Sequence, residues 1–369
     1  MDAMLRTLRL LLVTFLPTLS ARLRRGPLRP SWSFMFEWMI RSLRRDWDET
    51  ASWPLQRQRA AIAAKPYPHP HLERVGVRDA VVGGVPVRHF TPAKPGRTRI
   101  VFFHGGSYVY GSTSTSHADL CAHLALATSL EVVGVEYRLA PEHIWPAQLE
   151  DAVAACRDLQ GSALVLVGDS AGGHLAVKTA AHIKAKALVL LSPWVDLEMP
   201  GRSFEQNERY DFGTRQGLLR QARAVAGEAA LSSLALANGP LGALPPTLVS
   251  VGGAEALHDD VVAFFQQLRA AGVDCVLHVA EEMPHNPLLF EAYHPAAKKA
   301  FDAVVRFIEH AGAPGRVSSP RSTPDGLLAA STIRGDAISS DLRSATGWGR
   351  GRWRQAPIHS WAKCWATCG

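Results

Sequence analysis

The sequence predicts an α/β fold in which helices cover both faces of a mostly parallel central sheet. Short runs rich in Val, Ile and Leu alternate with Ala-rich stretches of helical character, such as residues 117–128 and 147–160. This alternation is typical of parallel strands joined by helical crossovers. The chain has 369 residues, of which 47% are hydrophobic, so it is long enough for one large domain with a substantial core.

The individual elements follow from local patterns. Residues 75–91, interrupted by Gly83-Gly84, predict an antiparallel hairpin. Later aliphatic runs predict strands, and the stretches after them predict helices. The predicted strands are 100–103, 132–135, 164–167, 247–251 and 276–279, and the predicted helices include 171–183, 261–270 and 296–310.

One of these strands leads into a serine within a Gly-x-Ser-x-Gly pattern, LVLVGDSAGG at residues 164–173. Because Gly168 and Gly172 have no Cβ atom, the chain can reverse sharply there and project the hydroxyl of Ser170 into a pocket. By itself so short a pattern is equally compatible with an ordinary strand-to-helix loop. In its strand–turn–helix context it predicts a nucleophile elbow with Ser170 as the nucleophile.

A glycine-rich turn, HGGS at residues 104–107, follows an earlier apolar run. Acyl transfer needs backbone N–H groups that point at the oxygen which becomes negative in the tetrahedral intermediate, and such a turn lets the backbone come that close. The predicted oxyanion hole comprises Gly105, Gly106 and Ser107, with Gly106 and Ser107 as the expected donors. The N–H of Ala171, at the start of the helix after the nucleophile, completes it.

A serine hydroxyl also needs a histidine to accept its proton and a carboxylate to hold that histidine in the right tautomer. In folds with this elbow, the carboxylate and then the histidine follow late strands. His285 follows the last predicted strand and is the predicted base. The predicted acid is Glu255, with Asp259 and Asp260 as alternatives, although those aspartates stand where a helix begins and would serve there to cap its N–H groups.

Six motifs follow one another between residues 74 and 310: HGGSYVYGS at 104–112, YRLAPEHIWPAQLED at 137–151, GDSAGG at 168–173, SPWVDL at 192–197, GGAEALHDD at 252–260 and MPH at 283–285. In order and spacing they resemble the hormone-sensitive-lipase-like branch of the α/β-hydrolases, an esterase family that includes many bacterial carboxylesterases and arylacetamide deacetylase. The resemblance implies an α/β-hydrolase fold with a helical cap, and Ser170, Glu255 and His285 as the triad. Two positions depart from the family pattern: Ser107 replaces a glycine, and Glu255 stands where aspartate is more common.

The resemblance implies a serine carboxylesterase that hydrolyses short- to medium-chain esters of small molecules without a metal or other cofactor. A lipase or an amide deacetylase would use the same triad. A non-catalytic small-molecule receptor on the same fold would keep only the pocket, and the intact His285 argues against it.

The composition indicates the cellular compartment and the kinds of partner that we expect. The five cysteines form neither a disulfide framework nor a metal-ligand spacing, which favours the cytoplasm. The formal net charge is +7, but the excess arginines lie in the two terminal regions, so we expect no binding to nucleic acid. A homodimer is compatible with the sequence.

Three regions are expected. Residues 1–73 would be helical and form a cap together with an excursion at about 195–245, residues 74–314 would form the catalytic domain, and residues 315–369 would be a disordered tail. Residues 8–19 are apolar but too short to span a membrane, so no spanning helix is predicted. The aromatic stretch 32–43 would line the pocket beneath the cap or, alternatively, rest on anionic lipid as a peripheral membrane contact.

Overall fold

A computed structural model describes residues 3–65, 67–312 and 327–328 of the chain. The helices in this part are α1 (Ala3–Arg25), α2 (Phe34–Thr50), α3 (Leu55–Ala63), α4 (Ala118–Thr128), α5 (Ala147–Asp158), α6 (Ala171–Ala180), α7 (Ser203–Asn207), α8 (Arg215–Ala226), α9 (His258–Ala270) and α10 (Pro295–Gly312). The strands are β1 (Gly76–Val82), β2 (Val85–Thr91), β3 (Arg99–Phe103), β4 (Glu131–Val135), β5 (Leu164–Asp169), β6 (Ala187–Leu191), β7 (Thr247–Gly252), β8 (Cys275–Ala280) and β9 (Leu327–Leu328).

These strands form one sheet in the order β1-β2-β4-β3-β5-β6-β7-β8-β9. The six strands β4, β3, β5, β6, β7 and β8 pair in parallel with one another. The β1–β2 hairpin pairs antiparallel at one edge, and β9 pairs antiparallel with β8 at the other. The predicted mostly parallel sheet and its antiparallel hairpin are therefore confirmed.

The core lies on both faces of the sheet. Alternate residues of β3 point to opposite sides, so Val101 and Phe103 pack among residues of α5, α6 and α9, while Ile100 and Phe102 pack among residues of α2, α4 and α10. The parallel strands are accordingly buried along almost their whole length, and their carboxyl ends meet at one edge, where the loops that follow β3, β5, β7 and β8 come together.

The N-terminal helices α1 and α2 pack against each other as a pair. Trp32, Phe36 and Ile40 are buried in the core below α10, with the Phe36 ring 5.5 Å from that of Phe290. These side chains of the stretch 32–43 therefore pack into the protein and do not form the lipid-facing surface that was the alternative interpretation, and the lining of a pocket beneath the cap stays a prediction.

Helix α1 instead carries an exposed apolar face. Its 23 residues continue as a helix through Pro17, and residues 4–25 are long and apolar enough to cross a membrane by length and composition alone. The helix extends beyond the apolar run at residues 8–19 on both sides, and the expected absence of a spanning helix stays a prediction. Only 17% of the most apolar 18-residue stretch of this helix is buried in the protein.

The excursion at 195–245 contains α7, α8 and several short 3-10 turns, which is the helical character expected of it. The predicted limits of the cap and of the catalytic domain stay predictions. Apart from the two residues of β9, the tail predicted at 315–369 lies outside the described residues.

Candidate active site

Ser170 occupies a sharp turn between β5 and α6. Its backbone has φ 53° and ψ −118°, an unfavourable combination for a residue with a side chain, and its N–H donates to the carbonyl of Leu191 at 2.9 Å. The turn needs glycine at position 172, because a Cβ atom there would lie 1.9 Å from the carbonyl oxygen of Phe103. This is the strained elbow that the sequence predicts around Ser170.

The glycine-rich turn after β3 has three consecutive residues with positive φ: Gly106 at 119°, Ser107 at 51° and Tyr108 at 64°. Among the described residues, the N–H groups of Gly106 and Ser107 donate to no other protein group, so they are free to bind a ligand oxygen. The N–H of Gly105 differs, since it donates to Oδ1 of Asp169 at 2.8 Å. Gly105 therefore belongs to the predicted hole only as part of the turn, and Gly106 and Ser107 stay its expected donors.

Glu255 lies in the loop after β7 and is completely buried. Its Oε2 accepts hydrogen bonds from Ser192 Oγ at 2.5 Å and from the N–H of Gly252 at 2.8 Å. Its Oε1 faces Nδ1 of His285 at 3.6 Å, which is too long for a normal hydrogen bond, and both atoms are buried without another partner among the described residues. The two side chains therefore face each other, as an acid and the base it orients must do. Catalytic contacts of this kind often tighten only when substrate binds.

The surroundings of His285 favour its charged form. Burial alone would lower the pKa of its imidazole, but the adjacent Glu255 carboxylate, with further contributions from Asp211 and Asp169, raises the pKa to about 9. A histidine with a raised pKa next to a buried carboxylate is typical of functional sites, although structural ion pairs produce the same effect.

The alternative acids lie elsewhere. Asp259 and Asp260 stand in the first turn of α9, where they accept hydrogen bonds from the N–H groups of Ser203 at 2.9 Å and Gly201 at 2.8 Å, respectively. Burial raises the pKa of Asp260 to about 6. Within the described residues neither aspartate pairs with His285, and both bind backbone of the excursion.

Three side chains that the sequence analysis did not single out connect these loops. Ser192, which donates to Glu255, accepts the N–H of Asn286 at 3.0 Å, and the side-chain amide of Asn286 donates to Oδ2 of Asp169 at 2.8 Å. Asp169 immediately precedes Ser170, so this hydrogen bond connects the loop after β8, which carries His285, to the elbow. Ser192 lies in the SPWVDL motif and Asn286 follows the predicted base directly, and these positions were the only signal the sequence offered.

A further connection runs from the glycine-rich turn to the excursion. The hydroxyl of Tyr108 lies 2.7 Å from Nδ1 of His174, and Nε2 of His174 lies 2.8 Å from the carbonyl of Leu234. Burial lowers the pKa of His174 to about 3. A neutral His174 that donates from Nε2 and accepts at Nδ1 satisfies both contacts, so this histidine has a structural role.

In the described part of the chain no group of three or more His, Cys, Asp or Glu side chains could hold a metal ion.

Comparisons with known proteins identify the family to which the chain belongs. The family profile for the α/β-hydrolase fold matches residues 100–289. The chain is 36% identical to an acetyl-hydrolase of Streptomyces hygroscopicus over 246 residues, which are 63% of this chain and 80% of the relative. It is 30% identical to an esterase of Acinetobacter venetianus over 58% of this chain and 76% of that one. A crystal structure of an esterase from the bacterial hormone-sensitive lipase family superimposes with a TM-score of 0.66 at 31% identity, covering 73% of this chain and 97% of that one.

Proposed function

Because the chain belongs to the hormone-sensitive-lipase-like branch of the α/β-hydrolase fold family and is a carboxylic ester hydrolase, we propose that it is a serine carboxylesterase. In this proposal Ser170 is the nucleophile, His285 the general base and Glu255 the triad acid. The observation that carries it is the buried contact of 3.6 Å between the carboxylate of Glu255 and Nδ1 of His285. That contact leaves Nε2 as the ring nitrogen available to the serine.

The reaction proceeds through an acyl-enzyme. Nε2 of His285 takes the proton of Ser170 Oγ as this oxygen attacks the ester carbonyl, and the N–H groups of Gly106, Ser107 and Ala171 bind the resulting oxyanion. His285 then gives its proton to the departing alcohol. Water, deprotonated by the same nitrogen, attacks the acyl group and releases the acid and the free serine.

We propose a short- to medium-chain acyl group, because the relatives are named an acetyl-hydrolase and an esterase. A small cavity lined by Trp47 of α2, Gln58 of α3, Tyr110 and Gln221 of α8 lies between the N-terminal helices and the excursion, and neither Ser170 nor His285 lines it. We assign residues 1–73 and about 195–245 to the cap and 74–314 to the catalytic domain. A cap built from these helices limits the length of the acyl chain that the site accepts.

The test is hydrolysis of p-nitrophenyl esters from acetate to palmitate by the purified chain, alongside Ser170→Ala. Ser162→Ala is a matched control, because Ser162 precedes the opposite, amino end of the same strand β5. We expect activity that is greatest for short chains, absent in Ser170→Ala and unchanged in Ser162→Ala. A maximum at long chains would indicate a lipase, and activity on acylated amines alone would indicate a deacetylase. An intact chain that binds but never hydrolyses such compounds would indicate the receptor and overturn the proposal.

We also propose that the protein is cytoplasmic and contacts a membrane surface peripherally through α1. The described cysteines Cys121, Cys156 and Cys275 are free thiols, which supports a reducing compartment. Helix α1 is amphipathic with its apolar face outward. The exposed apolar side chains, each 36–79% accessible, are Met4, Leu5, Leu8, Leu12, Val13, Phe15, Leu16, Leu19 and Leu23.

The opposite face of α1 is polar and packs on α2. Arg6 pairs with Asp46, Thr14 Oγ1 lies 2.7 Å from Ser42 Oγ, and Arg22 binds the buried Glu37 at 2.9 Å. A helix that crossed the bilayer would have to expose these groups to hydrocarbon, so contact in the plane of the surface is favoured. The basic C-terminal turn of α1, which includes Arg24 and Arg25, complements anionic lipid.

Flotation with vesicles of phosphatidylcholine and phosphatidylglycerol tests the contact. We expect the wild-type chain to float with the vesicles and Leu12→Ser/Leu16→Ser to remain in solution. Val81→Ser, a control at an equally exposed position outside α1, should float like the wild type. Failure of the wild type to float would contradict the proposal. So would a dimer in light scattering that Leu12→Ser/Leu16→Ser converts to a monomer, because a second copy would then cover the face.

A further inference from the structure

Asp211 is a buried carboxylate of the excursion that the reaction as described does not use. It lies between α7 and α8, and only 3% of its surface is exposed. Burial raises the pKa of its carboxyl, while the neighbouring His285 lowers it. A buried carboxylate is costly unless other groups satisfy it, so its partners indicate what it holds.

Those partners are the two loops that carry the acid and the base. Oδ2 of Asp211 accepts the N–H of Ala256, the residue after Glu255, at 2.9 Å. Oδ1 accepts the N–H of His285 itself at 3.3 Å and the N–H of Phe212 at 2.8 Å. One carboxylate therefore bridges the loop after β7 and the loop after β8.

The segment that carries Asp211 is itself fixed to the N-terminal helices. Nη1 of Arg44, in α2, donates to the carbonyls of Glu208 at 2.5 Å, Asp211 at 3.3 Å and Gly213 at 3.4 Å. A second bond runs from Nδ2 of Asn207, just before this segment, to the carbonyl of Glu255 at 3.0 Å. A continuous set of contacts thus leads from α2 through Asp211 to both triad loops.

We propose that Asp211 is a positioning residue. It holds the two loops that carry Glu255 and His285 at a fixed distance from each other, and it connects the cap to the triad. The inference rests on the proposed function, because it assigns Asp211 a task in that reaction. It acts through backbone N–H groups and through its charge, and it does not touch the reacting atoms.

The charge gives Asp211 an effect that a purely structural residue would lack. Two carboxylates contact His285, Glu255 from the loop after β7 and Asp211 from the excursion, and the charge of Asp169 at the end of β5 adds a smaller contribution to its raised pKa. Each stabilises the imidazolium that forms when the base takes the serine proton. Removing the charge of Asp211 should therefore destabilise the imidazolium, lower the pKa of His285 and reduce turnover together.

The experiment compares Asp211→Asn with the wild type in kcat, KM and the pH dependence of kcat/KM for p-nitrophenyl butyrate. The asparagine keeps the volume but loses the charge and one backbone acceptor. We expect kcat to fall about tenfold or more with a smaller change in KM, because a misplaced base costs most in the transition state. The acidic limb of the profile should move to lower pH by about one pH unit.

Asp260→Asn is the matched control, since Asp260 is also a carboxylate that accepts a backbone N–H of the excursion but does not contact His285. We expect its acidic limb to stay where the wild type has it. If Asp211→Asn fails to fold, Arg44→Lys tests the same connection from α2: kcat/KM should fall about threefold or more with an unmoved limb, because Asp211 keeps its charge.

Wild-type kcat and an unmoved acidic limb in Asp211→Asn would overturn the inference, as would an unchanged kcat/KM in Arg44→Lys. If the wild-type chain is active and Asp211→Asn has the same kcat and pH profile, the positioning role of Asp211 is refuted while the proposed function stands. A wild-type chain that hydrolyses no ester refutes the proposed function before any variant is made.

Discussion

Activity should rise steeply with pH across the neutral range, because the predicted base is held in its protonated form. His285 must be neutral to accept the serine proton, and its pKa is raised to about 9. At pH 7 only about 1% of the imidazole is then neutral, against about half at pH 9. We therefore expect kcat/KM to increase about fiftyfold between pH 7 and pH 9, whereas a histidine with its ordinary pKa would give less than about a 1.5-fold increase.

The assay is the initial rate of hydrolysis of p-nitrophenyl butyrate at subsaturating substrate, in buffers of constant ionic strength. Under these conditions kcat/KM reports the free enzyme, which is the state that the structure describes. Glu255→Gln is the companion variant, since it removes the carboxylate 3.6 Å from Nδ1. Its acidic limb should move to lower pH, and its kcat should fall by about 10³ to 10⁴ because the tautomer is no longer fixed.

The free energy of unfolding should decrease as pH rises over the range in which kcat/KM increases. A pKa raised in the folded state stabilises the protein below the unfolded value near 6.5, and this stabilisation disappears as pH rises through about 9. The contribution of His285 is about 3 kcal/mol, and it should decline over the pH range in which activity increases. A kcat/KM that is flat from pH 7 to pH 9 would refute the reasoning, because it would show that His285 is already neutral at pH 7.

Three other outcomes are expected. Glu255→Ala should lower kcat for p-nitrophenyl butyrate by about 10³ or more while Asp259→Ala keeps most of it, and the reverse result would reassign the acid. Gly106→Ala should lose about a hundredfold or more in kcat, because a Cβ atom would lie 2.1 Å from the carbonyl of Tyr110 at a φ of 119°; kcat near the wild-type value would show that the turn can adjust. Glu37→Gln should lower the free energy of unfolding by about 3 kcal/mol in urea titrations, since it removes the charge of a buried carboxylate that pairs with Arg22 and Arg41, and an unchanged midpoint would contradict this.

The sequence predicted those parts of the molecule that depend on local patterns. Most of the parallel strands and the elbow around Ser170 were predictable because glycine spacing and aliphatic runs act over a few residues, whereas β6 (Ala187–Leu191) was not among the predicted strands. The contact of Asp211 with His285 joins positions 74 residues apart, and no local pattern announces it. The direction of the Gly105 N–H was unpredictable for the same reason, since Asp169, its acceptor, belongs to another strand.

Helix α1 illustrates a different limit. Its apolar residues were visible in the sequence, but which side of the helix would be buried depended on its partner. Because α2 presents Asp46 and Ser42 towards it, the polar side of α1 faces inward. Periodicity identifies two faces of a helix, and only the packing decides which of them meets solvent.

The Asp169 carboxylate links three loops of this enzyme, which limits how each of them can be changed. Its carboxylate accepts from the N–H of Gly105, the side-chain amide of Asn286 and, at 3.1 Å, Nε2 of His117, which lies just before α4. Burial would raise the pKa of Asp169, yet His117, His104 and the N–H of Gly105 lower it, which favours the ionised form. Transplanting a single loop from a relative would therefore disturb the other two, and substitutions in these loops should be strongly non-additive. Evolution and engineering alike must exchange them as a set.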